Sequence, residues 1–256
     1  MQEPINCLKQ KTLEEGRAAI GLWCSLASPL STEIVAGSGV DWLLIDGEHS
    51  PNDLPLIVAQ LQAVKGHGCE AVVRVPSDEP NVIKPLMDGG ARSLMIPNIR
   101  DAAQARAAVA ATQYAPTGIR GFSVAHRANA FGRIKGYHPN ARAQQYLALQ
   151  IECENGVKNA AEIAAIDGVD ALFVGPGDLS TNMGEMGNPG APAVQAAILS
   201  VLKAAQAAGK AAGILAPNPV DAARYLEAGF TMVAVGSDLG LLVKGTDEAV
   251  ARFKTA

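Results

Sequence analysis

Eight short apolar runs, each followed by a stretch able to form a helix, constrain this chain more than any other feature. They fall at 20–24, 42–45, 71–75, 93–96, 147–151, 171–174, 211–215 and 231–235. Their centres are almost unbroken hydrophobes, the pattern of strands covered on both faces of a parallel sheet. The segments between them, such as STEIVAGSG, NDLPLIVAQLQAVKG and AVQAAILSVLKAAQAAGK, have helical spacing. Many end in Gly and several begin at Ser, Asn or Asp, the residues that close and open helices. Eight alternations within 256 residues predict a single-domain (β/α)8 (TIM) barrel spanning 1–256 rather than an open doubly wound sheet. No strand leads into G-x-G-x-x-G, and Gly209-Lys210 is followed by Ala211, so neither nucleotide fingerprint is present. Residues 1–19 read as a short amphipathic helix ahead of the first strand. One long insertion, at about 113–146, separates the fourth helix from the fifth strand. It follows a helix and so starts at the bottom of the barrel, although a loop of this length has the reach to climb over the top.

In such a barrel the chemistry sits at the carboxyl ends of the strands. This chain places Asp46-Gly47-Glu48-His49 after the second strand, Arg74 at the third, Pro97-Asn98 after the fourth, and Gln150 and Glu152 at the fifth. Gly175-Pro176-Gly177-Asp178 follows the sixth, and Gly236-Ser237-Asp238 ends the eighth. Glu152 and Asp178 close consecutive strands of one β-α-β unit, so both acids open on the same small volume. Two carboxylates beside a Gly-Pro-Gly turn suit a hard divalent cation with open positions for substrate. The alternative is that Asp178 caps the next helix and Glu152 pairs with a surface lysine. Arg74 closes the apolar run Ala71-Val72-Val73, and a buried arginine needs an anion; Asp78 and Glu79 are the alternative, surface partners. His49 directly follows a buried strand and should reach the mouth. Asp238 reads as an N-cap of the last helix. No lysine falls where a Schiff base would need one, which favours a metal as electrophile.

Net charge −4 gives no electrostatic reason to bind nucleic acid or an anionic membrane. No apolar stretch has the length of a membrane span or the layout of a signal peptide. Cys7, Cys24, Cys69 and Cys153 are scattered without a C-x-x-C pair, as expected of reduced thiols in a cytoplasmic chain.

The motifs LLIDGEH, VVRVP, LMDGGA, GIRGFSVAHRAN, LQIE, FVGPGDL and VAVGSDL together resemble the HpcH/HpaI family of metal-dependent, pyruvate-producing aldolases, over nearly the whole chain. The resemblance implies aldol cleavage of a 2-keto-3-deoxy sugar acid, with a 2-keto acid and an aldehyde as small-molecule partners. It implies Mg2+ (or Mn2+ or Co2+) on Glu152 and Asp178. It maps substrate contacts onto Gln150, Gly177, Asp178 and Arg74, with Ser123 a further candidate from the GIRGFSVAHRAN loop. The general base maps onto His49, the transition-state arginine onto Arg74, and a carboxylate acting on the histidine onto Asp88. Asp88 falls at a helix end just before Gly89-Gly90, far from the mouth, so it needs a short helix or a neighbouring subunit. A homo-oligomer, a hexamer with the C-terminal helix docked on a neighbour, is also implied. A decarboxylase or CoA-thioester lyase acting through an enolate, and a silent sugar-acid binder, remain the other classes. Within the insertion, Arg120, Ser123, His126 and Arg127 form the densest polar-cationic group on the chain. Folded over the mouth, one of its arginines would pair with the distal carboxylate of a diacid substrate.

Overall fold

The computed structural model describes Met1 and residues 4–254. Its strands are β1 (Ala19–Cys24), β2 (Trp42–Asp46), β3 (Glu70–Arg74), β4 (Ser93–Ile96), β5 (Tyr146–Ile151), β6 (Ala171–Val174), β7 (Ala211–Leu215) and β8 (Met232–Ser237). Each pairs in parallel with its neighbour in sequence, and β8 closes on β1. The expected (β/α)8 barrel is therefore what forms, with boundaries shifted by a residue or two at some ends.

Strand parity decides which side chains face the barrel axis. Trp42, Leu44, Val72, Met95, Tyr146, Ala148, Ala171 and Phe173 form one buried cluster inside the barrel. Their neighbours Leu43, Ile45, Val73, Leu94, Leu147, Leu149 and Leu172 pack outward against the helices. A Cβ on Gly21 would come within 2.2 Å of the Trp42 ring, and one on Gly213 within 2.3 Å of the Phe173 ring. Those two missing side chains make room for the two large rings, which meet edge to face at 6.3 Å. The same parity, carried toward the strand ends, turns Asp46, Arg74 and Gln150 inward at the mouth.

The N-terminal segment closes the opposite end. Helical residues Cys7–Lys9, continued by a π-helical stretch at Gln10–Glu14, bury Leu8 completely in the interior cluster. Thr12 Oγ1 lies 3.2 Å from the Tyr146 hydroxyl. The expected amphipathic helix is thus a plug in the barrel floor.

Ahead of β5, the insertion holds a Tyr114–Arg120 bridge and three short helical pieces, Arg127–Asn129, Tyr137–Asn140 and Ala141–Gln144. The insertion stays at the lower end of the barrel and does not climb over the top. Arg127 donates from Nη1 to Gly89 O (2.8 Å) and from Nη2 to Leu61 O (3.3 Å). Those carbonyls end the helices Pro80–Asp88 and Leu54–Ala63, where backbone acceptors lack intrahelical partners. Arg142 Nη2 likewise holds Gly168 O at 3.0 Å and Asp170 Oδ1 at 2.9 Å, just before β6.

Asp238 is not the N-cap of the last helix, Asp238–Ala251. Ser237 takes that role, its hydroxyl accepting from Gly240 N at 3.0 Å. The Asp238 carboxylate instead accepts from Ser25 N and Ser31 Oγ, each at 2.7 Å, and ties the loop after β1 to the end of β8. Among the described residues no helix is long and apolar enough to cross a membrane.

Candidate active site

Asp46 and Arg74 are register partners across β2 and β3, and both point inward at the last position of their strands. Arg74 donates from Nε to Asp46 Oδ1 (2.9 Å) and from Nη2 to Asp46 Oδ2 (2.8 Å), a two-pronged pairing of planar groups. Its guanidinium carbon lies 4.5 Å from the Trp23 ring centroid, and its Nη1 lies 2.8 Å from Glu48 Oε2. Arg74 is 2% exposed, so its position is fixed from three sides. Burial opposes ionisation of Asp46, but the Arg74 contacts and the amides of Glu48 and His49 outweigh it and hold the carboxyl below its usual range. The anion required by a buried Arg74 is therefore Asp46, with Glu48 beside it. Asp78 is occupied elsewhere, accepting from Gln104 Nε2 at 2.9 Å.

Across the mouth, Glu152 is almost buried, at 6% exposure. Its Oε1 accepts from the Asn98 amide at 2.8 Å and its Oε2 from Gln150 Nε2. Asn98 takes a left-handed φ of 55°, a conformation asparagine tolerates, and this aims its amide at the carboxylate. A Cβ at residue 175 would lie 2.5 Å from Glu152 Oε2, so glycine there lets the carboxylate lie over the turn after β6. Asp178 stands in the first turn of the helix Pro176–Asn182, where free amides favour an anion. The N-cap is Gly175, so the capping alternative for Asp178 fails, and no lysine pairs with Glu152. At Gly177 a Cβ would meet nothing within 4 Å, so the backbone faces open space.

Glu48, His49, Asn98, Glu152 and Asp178 line one recess of about 620 Å³ at the carboxyl ends of the strands. Burial, then the charges of Asp178 and Glu48, push the Glu152 carboxyl up to about 7. Such crowding of carboxylates is what a divalent cation relieves, and hard oxygen donors are the right kind for it. Among the described residues no group of three or more His, Cys, Asp or Glu side chains has ligand geometry. Glu152 and Asp178 are two hard carboxylate donors at this recess, the residues here that could hold a divalent cation with its other positions left to water and substrate. His49 lines the same recess with its side chain 64% exposed and Nε2 3.8 Å from Glu48 Oε2. Buried Gln150 Oε1 has no hydrogen-bond partner among the described residues.

His49, Arg74, Gln150, Glu152, Gly177 and Asp178 are all at or beside this mouth. Asp88 and Ser123 are not. Asp88 ends its helix at the lower side of the barrel and accepts from Arg120 Nη2 at 2.7 Å. Ser123 Oγ donates to Ala125 O at 3.4 Å, within the insertion. Asp88 stays low because its helix ends there, and Ser123 because the insertion is pinned to helix ends rather than lifted over the rim. Three contributors escaped the sequence reading: Asp46 as the clamp of Arg74, Trp23 as the platform beneath it, and Arg100 as a second cation on the rim. Asp46 carried a usable signal, since it continues the inward parity of Trp42 and Leu44.

A closed barrel with an acid-lined, arginine-bearing mouth defines a (β/α)8 enzyme scaffold. The comparisons narrow this: a model of the HpcH/HpaI aldolase/citrate lyase family matches residues 19–245, and the chain belongs to that family. It is 49% identical over 235 residues to the 5-keto-4-deoxy-D-glucarate aldolase of Enterobacter sp. (strain 638), covering 92% of each chain. It is 48% identical, with the same coverage, to the enzyme of that name from Escherichia coli O6:H1. Among solved structures, an HpcH/HpaI aldolase/citrate lyase family protein from Burkholderia cenocepacia J2315 superposes with TM-score 0.94 at 39% identity, covering 98% of this chain and 100% of that one.

Proposed function

We propose that this chain is a metal-dependent aldolase that cleaves 5-keto-4-deoxy-D-glucarate to pyruvate and tartronate semialdehyde. The observation that carries the reading is the opposition, across one recess, of the Glu152–Asp178 carboxylate pair and a clamped Arg74. A divalent cation, Mg2+ or in its place Mn2+ or Co2+, held by Glu152 and Asp178 supplies Lewis acidity toward the keto acid when bound. His49 accepts the proton of the hydroxyl two carbons beyond the ketone. The adjacent carbon–carbon bond breaks, releasing the aldehyde and leaving its electron pair in the pyruvate enolate. Arg74 donates to the oxygen on which that charge collects. Gln150 and the backbone at Gly177–Asp178 orient the keto acid, and solvent protonates the enolate carbon. Because Arg74 acts on charge that grows in the transition state, it serves turnover more than ground-state binding.

Asp88 and Ser123 enter this reading only across a subunit boundary, in a homo-hexamer where the lower face of one barrel meets the mouth of another. In support, Phe122, Val124 and Phe131 are exposed on that lower face, as are Leu241, Leu242 and Val243 on the last helix. A cytoplasmic setting fits four unpaired cysteines. The test is pyruvate release from a panel of 5-keto-4-deoxy-D-glucarate, 4-hydroxy-2-oxoheptanedioate and 2-keto-3-deoxy-L-rhamnonate, with and without chelator. Fastest release from the first, lost on chelation, is expected. Full activity of a metal-free enzyme overturns the metal assignment, and no pyruvate from any substrate overturns the aldolase.

A further inference from the structure

The two carboxylates on Arg74 hold it differently. Asp46 receives two aligned hydrogen bonds and is 3% exposed. Glu48 Oε2 sits 2.8 Å from Nη1, yet that oxygen makes no aligned hydrogen bond among the described residues. The contact is a charge pair without directional bonding, the weaker kind. Oε2 itself is buried, but the Glu48 side chain as a whole is 23% exposed and lines the recess, so it has open space to turn into. A second cationic partner is already at hand, because His49 Nε2 is 3.8 Å from the same Oε2. Nη1 is the nitrogen turned away from Asp46, and Glu48 Oε2 crowds it, so a substrate oxyanion approaching Nη1 meets a like charge unless Glu48 moves aside. Asp46 cannot leave without stranding a buried charge.

We infer that Glu48 is an exchangeable anion: it holds Arg74 Nη1 in the free enzyme, yields that nitrogen to the substrate oxyanion, and turns to His49. Resting on the aldolase reading, this makes Glu48 a positioning residue that couples two events. Filling of the Arg74 site by substrate releases the carboxylate that then steadies His49 as its imidazole accepts the hydroxyl proton. No bond to Glu48 forms or breaks. The device also explains an acid beside an anion-binding arginine, which otherwise only weakens substrate binding.

The test uses the Mg2+-loaded enzyme and oxalate, a planar mimic of the pyruvate enolate, titrated by calorimetry. Glu48→Gln removes the competitor and should tighten oxalate about 5-fold or more, while kcat for keto-acid cleavage falls about 10-fold. Glu48→Asp keeps the charge but is too short to hold Nη1, and should tighten oxalate about 3-fold. Glu154→Gln, an acid on the same rim with no contact to Arg74, controls for net charge and should change both quantities less than about 2-fold. Tighter oxalate with slower turnover is the signature expected; a merely structural glutamate would lose both together. Oxalate affinity in Glu48→Gln that is unchanged, weaker, or matched by Glu154→Gln overturns the exchange. The oxalate titration needs no turnover, so it reads the exchange even if the wild type cleaves no keto acid, which would sink the aldolase reading instead.

Discussion

Arg74 at the mouth and Arg120 on the lower face are built from the same parts and end in different states. Each is buried, each lies 4.5 Å from an aromatic ring centroid (Trp23 and Tyr114), and each pairs with an aspartate, Asp46 or Asp88. Asp46 takes two donors of Arg74 and Glu48 neutralises the third nitrogen. Asp88 takes one donor of Arg120, whose Nε and Nη1 have no hydrogen-bond partner among the described residues. The difference teaches where each arginine's work lies. Arg74 is fixed by Asp46 through two of its five N–H groups, so its orientation is set while donors on Nη1 remain for an anion in the recess. Arg120 is held by a single carboxylate contact and by its stacking on Tyr114, with its side chain fully buried, so two of its nitrogens are left without partners among the described residues.

The sharpest way to break this contrast is to remove the acids opposite Arg74. Glu152→Ala or Asp178→Ala should abolish divalent binding in calorimetry and cut turnover at least about 10³-fold. The far-ultraviolet circular dichroism should stay that of the wild type, because both side chains are at the strand ends rather than in the barrel core. Retained metal binding in both variants would show that the cation sits elsewhere. Next in size is the clamp itself. Arg74→Lys keeps the charge and loses the fork, and kcat should drop roughly 10²-fold with little change in KM. Asp46→Asn should approach the same kinetic loss through misplacement of Arg74. A raised KM with unchanged kcat would reduce Arg74 to a binding group.

On the lower face the same kind of substitution should leave specificity alone. Arg127→Ala frees two helix-end carbonyls and should cost about 1–3 kcal/mol in urea denaturation. The ratio of kcat/KM for 5-keto-4-deoxy-D-glucarate over 2-keto-3-deoxy-L-rhamnonate should not move. This reverses the expectation drawn from the motif, in which an insertion arginine reads the distal carboxylate within its own subunit. A shifted ratio in Arg127→Ala would restore that role to the insertion.

The contrast also separates what sequence made legible from what it did not. The mouth was readable because parity and strand order are strong rules. Arg74 and Gln150 lie among the last residues of buried strands, Glu152 and Asp178 just beyond them, and all strand ends of a parallel barrel open on one side. Asp46 obeyed the same rule and was overlooked only as a partner. The insertion had no such rule. Where Arg127 goes is decided by the carbonyls of Leu61 and Gly89, far away in sequence, and no periodicity in 113–146 encodes that. Asp238 shows the limit at short range, since Ser237 and Asp238 are adjacent candidates for one cap and only tertiary contacts with Ser25 and Ser31 separate them.

The smallest effect expected is the most diagnostic, because the two regions should answer acid with opposite signs. Glu152 is pushed up from 4.5 to about 7 by burial and the charges of Asp178 and Glu48. The native state then holds more protons than the unfolded chain between those values, so this contribution is full below 4.5 and lost as pH rises through about 7. His126, buried on the lower face, is held below its ordinary 6.5 by desolvation, with Asp88 opposing and Arg120 and His138 assisting. There the unfolded chain holds more protons, so stability is full above 6.5 and lost as pH falls below it. In metal-free wild type the two contributions oppose each other, and the net change across the overlap should stay near about 1 kcal/mol. Single substitutions unmask them. Glu152→Gln should leave a profile that weakens toward acid, opposed by Glu48, whose carboxyl is also raised by burial, and His126→Asn one that strengthens toward acid. Urea midpoints measured from pH 4.5 to 8 with chelator present read both slopes, and saturating Mg2+ should erase the Glu152 slope alone. If Glu152→Gln left the wild-type profile intact, the carboxylates at the mouth would not be crowded as their placement implies, and the case for a cation there would lose its electrostatic basis.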